Sequence, residues 1–266
     1  MLQLLLGGSG SGKTTLLYQR IRARAEKGEK SILLVPEQFT SSTEGRIYRE
    51  LGDALSGMVE SFSFTSLAEK ILSTEGGAAV QTLSDAGRAV LVRRALEELQ
   101  DNVHYYHRHR RSAAFCQMAA QTIDELKSAG LSGQQLAQLA GACGAESGKL
   151  SELALIFQGY ETLLAGTGMD PSDRLTLAAS RLESALARGG LPEFLRGREV
   201  FIDEFDTFNA PKKRLMGALL ASLPTVTVAL CDDGAPLIPG DMSLFSGAKQ
   251  VAAQLRQLAR KNGAEV

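Results

Sequence analysis

The feature that most constrains this chain is the run Gly7-Gly8-Ser9-Gly10-Ser11-Gly12-Lys13-Thr14, set between an apolar stretch at 2–6 and a helical pattern at 16–27. It matches G-x-x-x-x-G-K-S/T in the setting that pattern requires, a strand entering and a helix leaving. The residue types follow from the chemistry. Glycines let successive backbone N–H groups turn inward around a triphosphate without Cβ clashes, and the helix N-terminus adds partial positive charge. Gly7, Gly8, Ser9, Gly10, Ser11 and Gly12 would supply the cradle. Lys13 would reach the β- and γ-phosphates of ATP, and the Thr14 hydroxyl would ligate Mg²⁺.

A loop of this kind needs a parallel sheet to carry it, and the chain supplies candidates. Residues 31–35 (SILLV) form a second apolar run stopped by Pro36, and 59–62 lead into a helical pattern from Ser66. Strand, helix, strand, helix at this spacing predicts an α/β fold, a phosphate-loop (RecA-like) parallel sheet with helices on both faces. From 82 to 195 the period changes. Apolar residues recur at helical spacing through 86–99, 113–129, 150–165 and 174–186, without a convincing strand. Strand character returns at 199–203 (EVFID) and 225–230 (TVTVAL), with a helix at 211–222 between them and an amphipathic helix at 247–261. The expected organisation is a discontinuous core, 1–80 and 196–266, interrupted by an all-helical insertion at 81–195.

The second half of the site lies in that returning segment. Glu199-Val200-Phe201-Ile202-Asp203-Glu204 has the form of a Walker B strand, apolar residues ending in paired acids. Asp203 would hold the Mg²⁺ and Glu204 would polarise the attacking water, the catalytic role.

Together the phosphate loop, LVPEQFT at 34–40, SFSFTSLAEKIL at 61–72, the helical insertion and FIDEFDTF at 201–208 resemble the amino-terminal motor domain of a superfamily 1 DNA helicase. More narrowly, they resemble the N-terminal region of the AddB/RexB subunit of the bacterial ATP-dependent helicase/deoxyribonuclease, over essentially the whole chain. The resemblance implies an enzyme complex that resects double-strand DNA breaks for recombinational repair. It implies a heterodimer with an AddA/RexA-type helicase–nuclease subunit, acting on single-stranded DNA and duplex ends in the bacterial cytoplasm. Such AddB-type subunits are far longer. Their iron–sulfur cluster belongs to a C-terminal nuclease domain with no counterpart here, so Val266 is expected to be an internal boundary. Positions that contact single-stranded DNA in related helicases correspond to Gln38, Thr40, Phe64 and Thr65.

Three departures from the helicase pattern bear on activity. Only residues 1–6 precede the loop, where a glutamine motif would read adenine. The DExQ motif is Asp203-Glu204-Phe205-Asp206, and GDxxQ is Cys231-Asp232-Asp233-Gly234-Ala235-Pro236, both without the glutamine. The second motor lobe, which would bring an arginine finger worth roughly 10³–10⁵ in rate, is absent from the chain. The expectation is a degenerate motor that grips and scans single-stranded DNA, with modest nucleotide binding and negligible hydrolysis by these residues alone.

Net charge adds little, since 29 Lys+Arg against 30 Asp+Glu gives −1 and no global signal for nucleic acid. Locally, His104-Tyr105-Tyr106-His107-Arg108-His109-Arg110-Arg111 is dense in cations and aromatics, and Arg108, Arg110 and Arg111 are candidate phosphate contacts. The ordinary alternative is a solvated loop between helices. The three histidines fit no familiar zinc spacing. Three scattered cysteines suit a reducing compartment, and no apolar run is long enough to cross a bilayer, so no membrane partner is expected. Two other classes stay open: a small-molecule phosphotransferase with a helical lid, and a non-catalytic nucleotide-binding scaffold. The adjacency of Glu204 to Asp203 favours activated water over an alcohol acceptor.

Overall fold

The computed structural model describes residues 1–109, 111–144, 147–238, 240 and 242–266. It divides into two compact units, one of 1–78, 175–208 and 212–266, the other of 79–174 and 209–211.

The first unit is built on a five-stranded, wholly parallel sheet in the order β1-β5-β4-β2-β3. The strands are β1 (Leu2–Gly7), β2 (Ser31–Leu34), β3 (Val59–Phe62), β4 (Glu199–Ile202) and β5 (Val226–Cys231). Parallel strands are covered on both faces, so they read as apolar runs rather than alternations. All four residues of β2 are buried. Successive side chains still divide between the faces. Ile32, Leu34, Val200 and Ile202 join one core with helices α4 (Phe64–Glu75), α10 (Ala210–Ser222) and α11 (Ser246–Lys261). Leu33 and Phe201 join the other, with α1 (Lys13–Ala25) and α2 (Thr40–Leu51). This is an α/β layer fold with helices on each face.

Two elements differ from the sequence expectation. The polar segment at 40–51 forms α2, ended by Gly52 at φ 75° and followed by the short α3 (Asp53–Ser56). The helix expected from Ser66 begins at Phe64, because the Ser63 hydroxyl accepts the Ser66 N–H while the Ser66 hydroxyl accepts the Ser63 N–H. That reciprocal cap satisfies two helix-end donors and fixes where the chain turns out of β3.

The second unit is helical: α5 (Asp85–Glu98), α6 (Ala113–Ser128), α7 (Gly133–Ala140) and α8 (Ser147–Ala165). Phe157, Tyr160, Ile156, Leu96 and Ile123 are among its buried residues. Gly159 lets α8 approach α5, since a Cβ there would meet Leu99 Cδ1 at 3.1 Å and Ala95 Cβ at 3.3 Å. A polar cluster also lies inside. Asp170, 0% exposed, accepts from Lys127 Nζ and from the Tyr160 hydroxyl. Lys127 donates to Asp173 as well, at 2.7 Å. The final long helix, α9 (Asp173–Ala187), starts in this unit and continues into the first.

Candidate nucleotide-binding edge

Gly7 ends β1 and Lys13 opens α1, so the intervening loop stands at the C-terminal edge of the sheet. Helix α1 packs on one face, while α11, which follows β5, packs on the other. Neighbouring strands β1 and β5 therefore send their connections to opposite faces, which opens the crevice where ligands of parallel α/β sheets bind.

Local chemistry shapes the loop. Gly10 and Gly12 lie at φ 73° and 86°, conformations an L side chain adopts at a cost, and a Cβ on either would meet nothing. At Gly7 the constraint is contact, since a Cβ would lie 2.5 Å from the Ser11 hydroxyl. Lys13 folds back, its ammonium donating to the Gly7 and Gly8 carbonyls at 2.8 and 2.7 Å. Among the described residues it forms no ion pair, so its charge is uncompensated beside the open space of the loop. Ser9, Ser11 and Thr14 complete the loop, with Thr14 half-buried in the first turn of α1.

The acid pair follows β4 at the same edge. Asp203 is buried, and its N–H donates to Leu34 O at 3.1 Å, extending the ladder one residue. Its carboxylate accepts the Glu204 N–H at 3.0 Å. Glu204 stands at φ 65°, the one non-glycine residue with positive φ among those described. Such backbone is strained for a side chain with a Cβ and collects at functional sites. The Glu204 pKa is raised, by partial burial and by the neighbouring Asp203 charge, against the opposing pull of Arg46.

Helix α1 ties the two halves together. Tyr18, one turn beyond Thr14, is buried, and its phenol is pushed up to about 12 chiefly by burial. The same hydroxyl senses Arg46, Asp203 and Glu204, which brings α1, α2 and the end of β4 to one place. Arg46, on α2, lies over the Tyr18 ring at 5.1 Å and 4.0 Å from the Glu204 carboxylate. Sequence reasoning missed both residues, and no local signal marks them. Asp232, from the GDxxQ-like segment, is also at this edge, with its N–H donating to Gly7 O at 3.0 Å.

The DNA-contact candidates divide. Gln38, Glu37, Ser63, Glu204 and Lys212 are among the residues lining a cavity of ≈ 230 Å³. Gln38 and Thr65 are exposed, Thr65 donates to the Glu37 carboxylate, and Thr40 donates to Glu37 O at 2.9 Å. Phe64 is different. It is 2% exposed, with its ring edge-on to Phe205 and Phe208, so packing withdraws it from a nucleobase. The expectation of a Phe64–DNA contact is corrected on that ground.

In the helical unit, Arg108 and Arg111 are exposed, while Arg110 lies outside the described residues. The adjoining backbone is held by Glu152, whose carboxylate accepts the N–H groups of His104, Tyr105 and Tyr106 at 2.8–3.1 Å. Among the described residues no three His, Cys, Asp or Glu gather as a metal cluster, and no helix is long and apolar enough to cross a membrane.

Fold and edge define the class: an α/β protein whose parallel sheet presents a glycine-rich loop and an acid pair at its C-terminal edge. The family is narrower. Residues 4–266 match the family model described as "ADDB, N-terminal", and the chain belongs to that family. Curated relatives carry the name of the second, B-type subunit of an ATP-dependent helicase/deoxyribonuclease. The one from Desulforudis audaxviator is 34% identical over 276 residues, covering 100% of this chain and 23% of the relative. Its counterpart from Moorella thermoacetica is 33% identical, covering 100% and 24%. That from Clostridium perfringens is 29% identical, covering 98% and 22%. The chain thus spans about a quarter of the relatives it matches.

Proposed function

We propose that the sheet unit is a phosphate-loop, RecA-like nucleotide-binding core that takes ATP with Mg²⁺, and that it serves the AddB-type subunit of a helicase–deoxyribonuclease. The observation that carries the reading is the shared edge: the loop after β1 and the acids after β4 stand at one end of one sheet, with the Lys13 ammonium facing no carboxylate. The residues fit such a ligand. Lys13 and the loop amides would bind phosphates, and Thr14 with Asp203 would hold the metal. Two protein oxygens suffice, because Mg²⁺ keeps waters and takes substrate phosphates as its remaining ligands. Mg²⁺ would neutralise phosphate charge there.

Strand β5 separates β1 from β4, so the acids stand about 9–10 Å across the sheet from the loop strand at ordinary strand spacing. That leaves room for a phosphate, a metal and a water between them, with Glu204 orienting the water. This supports hydrolytic geometry over transfer to an alcohol. Without the two sensing glutamines, turnover by this chain is negligible, and the core acts mainly as a nucleotide-responsive grip. The helical unit, proposed as an insertion at 81–195, and the core at 1–80 and 196–266 would act with an AddA-type partner. Single-stranded DNA would run past Gln38, Thr40 and Thr65, with Arg108 and Arg111 as further phosphate contacts.

The test titrates labelled ATP and a single-stranded oligonucleotide against the chain and its Lys13→Ala variant. Lys13→Ala should weaken ATP at least tenfold and leave DNA binding in place, and DNA affinity should fall steeply with salt. Equal ATP affinity in parent and variant refutes the nucleotide site.

A further inference from the structure

One cation at this edge has no role in the account above. Arg46 projects from α2 with its side chain 36% exposed, over the Tyr18 ring and beside Glu204. At 4.0 Å the contact with Glu204 is an ion pair without a hydrogen bond, and among the described residues Arg46 donates no hydrogen bond at all. Stacking on Tyr18 fixes the plane of the guanidinium while leaving its N–H edge unspent. Tyr18 follows Thr14 by one helical turn, so the platform belongs to the same helix as the proposed phosphate and metal ligands.

We propose that Arg46 reads the terminal phosphate: its guanidinium donates to the γ-phosphate oxygens of a bound nucleoside triphosphate, making the site prefer tri- over diphosphate. The inference rests on the nucleotide-binding reading of the edge. The geometry behind it is direct. Glu204 is the carboxylate that would face water beside the γ-phosphate, so a cation at ion-pair distance from Glu204 stands within reach of that phosphate. The planar fork of arginine suits phosphate oxygens in a way a lysine ammonium does not. The contact also serves a chain whose two glutamine positions are occupied by Asp206 and Pro236. Without nucleotide, Arg46 balances Glu204. With triphosphate in place, its donors turn to the more highly charged partner and Glu204 is relieved of the pairing.

The experiment measures equilibrium affinities of the chain for Mg²⁺ with a non-hydrolysable ATP analogue and for Mg²⁺ with ADP, each by displacement of a fluorescent nucleotide. Parent, Arg46→Ala, Arg46→Lys, Tyr18→Leu and Lys13→Ala are compared, with far-UV circular dichroism and urea midpoints verifying folding. Arg46→Ala should weaken the triphosphate analogue about tenfold or more, the size of a charge-assisted contact, and change ADP less than about threefold. Arg46→Lys should restore only part of the discrimination. Tyr18→Leu, which removes the platform and leaves the cation, should lower it in the same direction. Lys13→Ala should weaken both nucleotides. If Arg46→Ala changes the two nucleotides equally, or neither, while Lys13→Ala weakens both, the Arg46 role is overturned and the site stands. If the parent binds neither nucleotide, or Lys13→Ala binds both like the parent, the site itself falls and Arg46 with it.

Discussion

Removing the Asp170 carboxylate tests whether the helical unit is held by its buried charges. Asp170 is 0% exposed and serves two partners, the Lys127 ammonium and the Tyr160 hydroxyl. Breaking a buried pair by deleting one member costs about 3–5 kcal/mol, and leaving a buried hydroxyl without an acceptor costs about 1–3 kcal/mol. Those figures do not simply add, because Asp173 also pairs with Lys127 at 2.7 Å and keeps its charge partly compensated. Asp170→Ala should therefore destabilise the unit by about 3–4 kcal/mol. Tyr160→Phe alone should cost about 1 kcal/mol. The double variant should cost less than the sum by about 1 kcal/mol, since both changes remove one contact. The phenol is held well above its usual range by burial and by Asp170, so it remains a donor across the working pH. Urea unfolding followed by circular dichroism and tyrosine fluorescence gives the numbers; there is no Trp to obscure the tyrosines. A loss below about 1 kcal/mol for Asp170→Ala, or strict additivity, would refute the reasoning.

Asp173 should behave differently. Its pKa is raised, first by burial, with Lys127 opposing. A raised carboxylate contributes stability below its unfolded pKa and loses it as pH rises through the folded one, so Asp173→Asn should be near neutral or slightly stabilising at pH 7. A marked loss at pH 7 in urea melts contradicts this. Glu152 has the opposite sign. Burial works against its charge, yet the N–H groups of Tyr105, His104 and Tyr106 bring its pKa below the usual value. Its contribution is present above the unfolded carboxylate range and fades as pH falls through the folded pKa. Amide exchange at those three N–H groups should therefore accelerate on acidification and be fast at all pH in Glu152→Ala; unchanged exchange in that variant excludes the clamp. At Glu204, replacement by Gly relieves positive-φ strain against a smaller gain in unfolded-state entropy. Glu204→Gly should raise stability by about 0.5–1 kcal/mol, and a destabilised variant would show that the backbone there is not strained.

What the sequence disclosed follows the range of the forces involved. The loop, five strands and most long helices were legible because glycine content, β-branched runs and helical period act within a few residues. Helix α2 was not, because TSSTEGR offers little apolar period and carries Gly45. Its helicity comes from Thr43, Ile47 and Leu51 burying against the sheet. Phe64 looked like a surface aromatic in FSFTSL, but its partners Phe205 and Phe208 arrive from a segment distant in sequence. The pairing of Lys127 with Asp170, 43 residues apart, was equally invisible. Loop and acid pair were readable because each is a local pattern. Tyr18 and Arg46 were not, since their meaning lies in a convergence only the fold creates.

That division bears on how a degenerate motor could keep its nucleotide. The parts legible in sequence are those that grip: loop, Lys13 and acid pair. The parts that depart from the helicase pattern are those that sense, the two glutamine positions. Gripping is supplied by elements locked into the sheet, where Asp232 donates to Gly7 and Asp203 to Leu34. Losing them would loosen the core itself. Sensing depends on side chains free to change partners, which the fold does not need for its stability. A chain of this family can therefore shed turnover while retaining a formed pocket, and a residual sensor should be sought among exchangeable cations such as Arg46 rather than in the ladder.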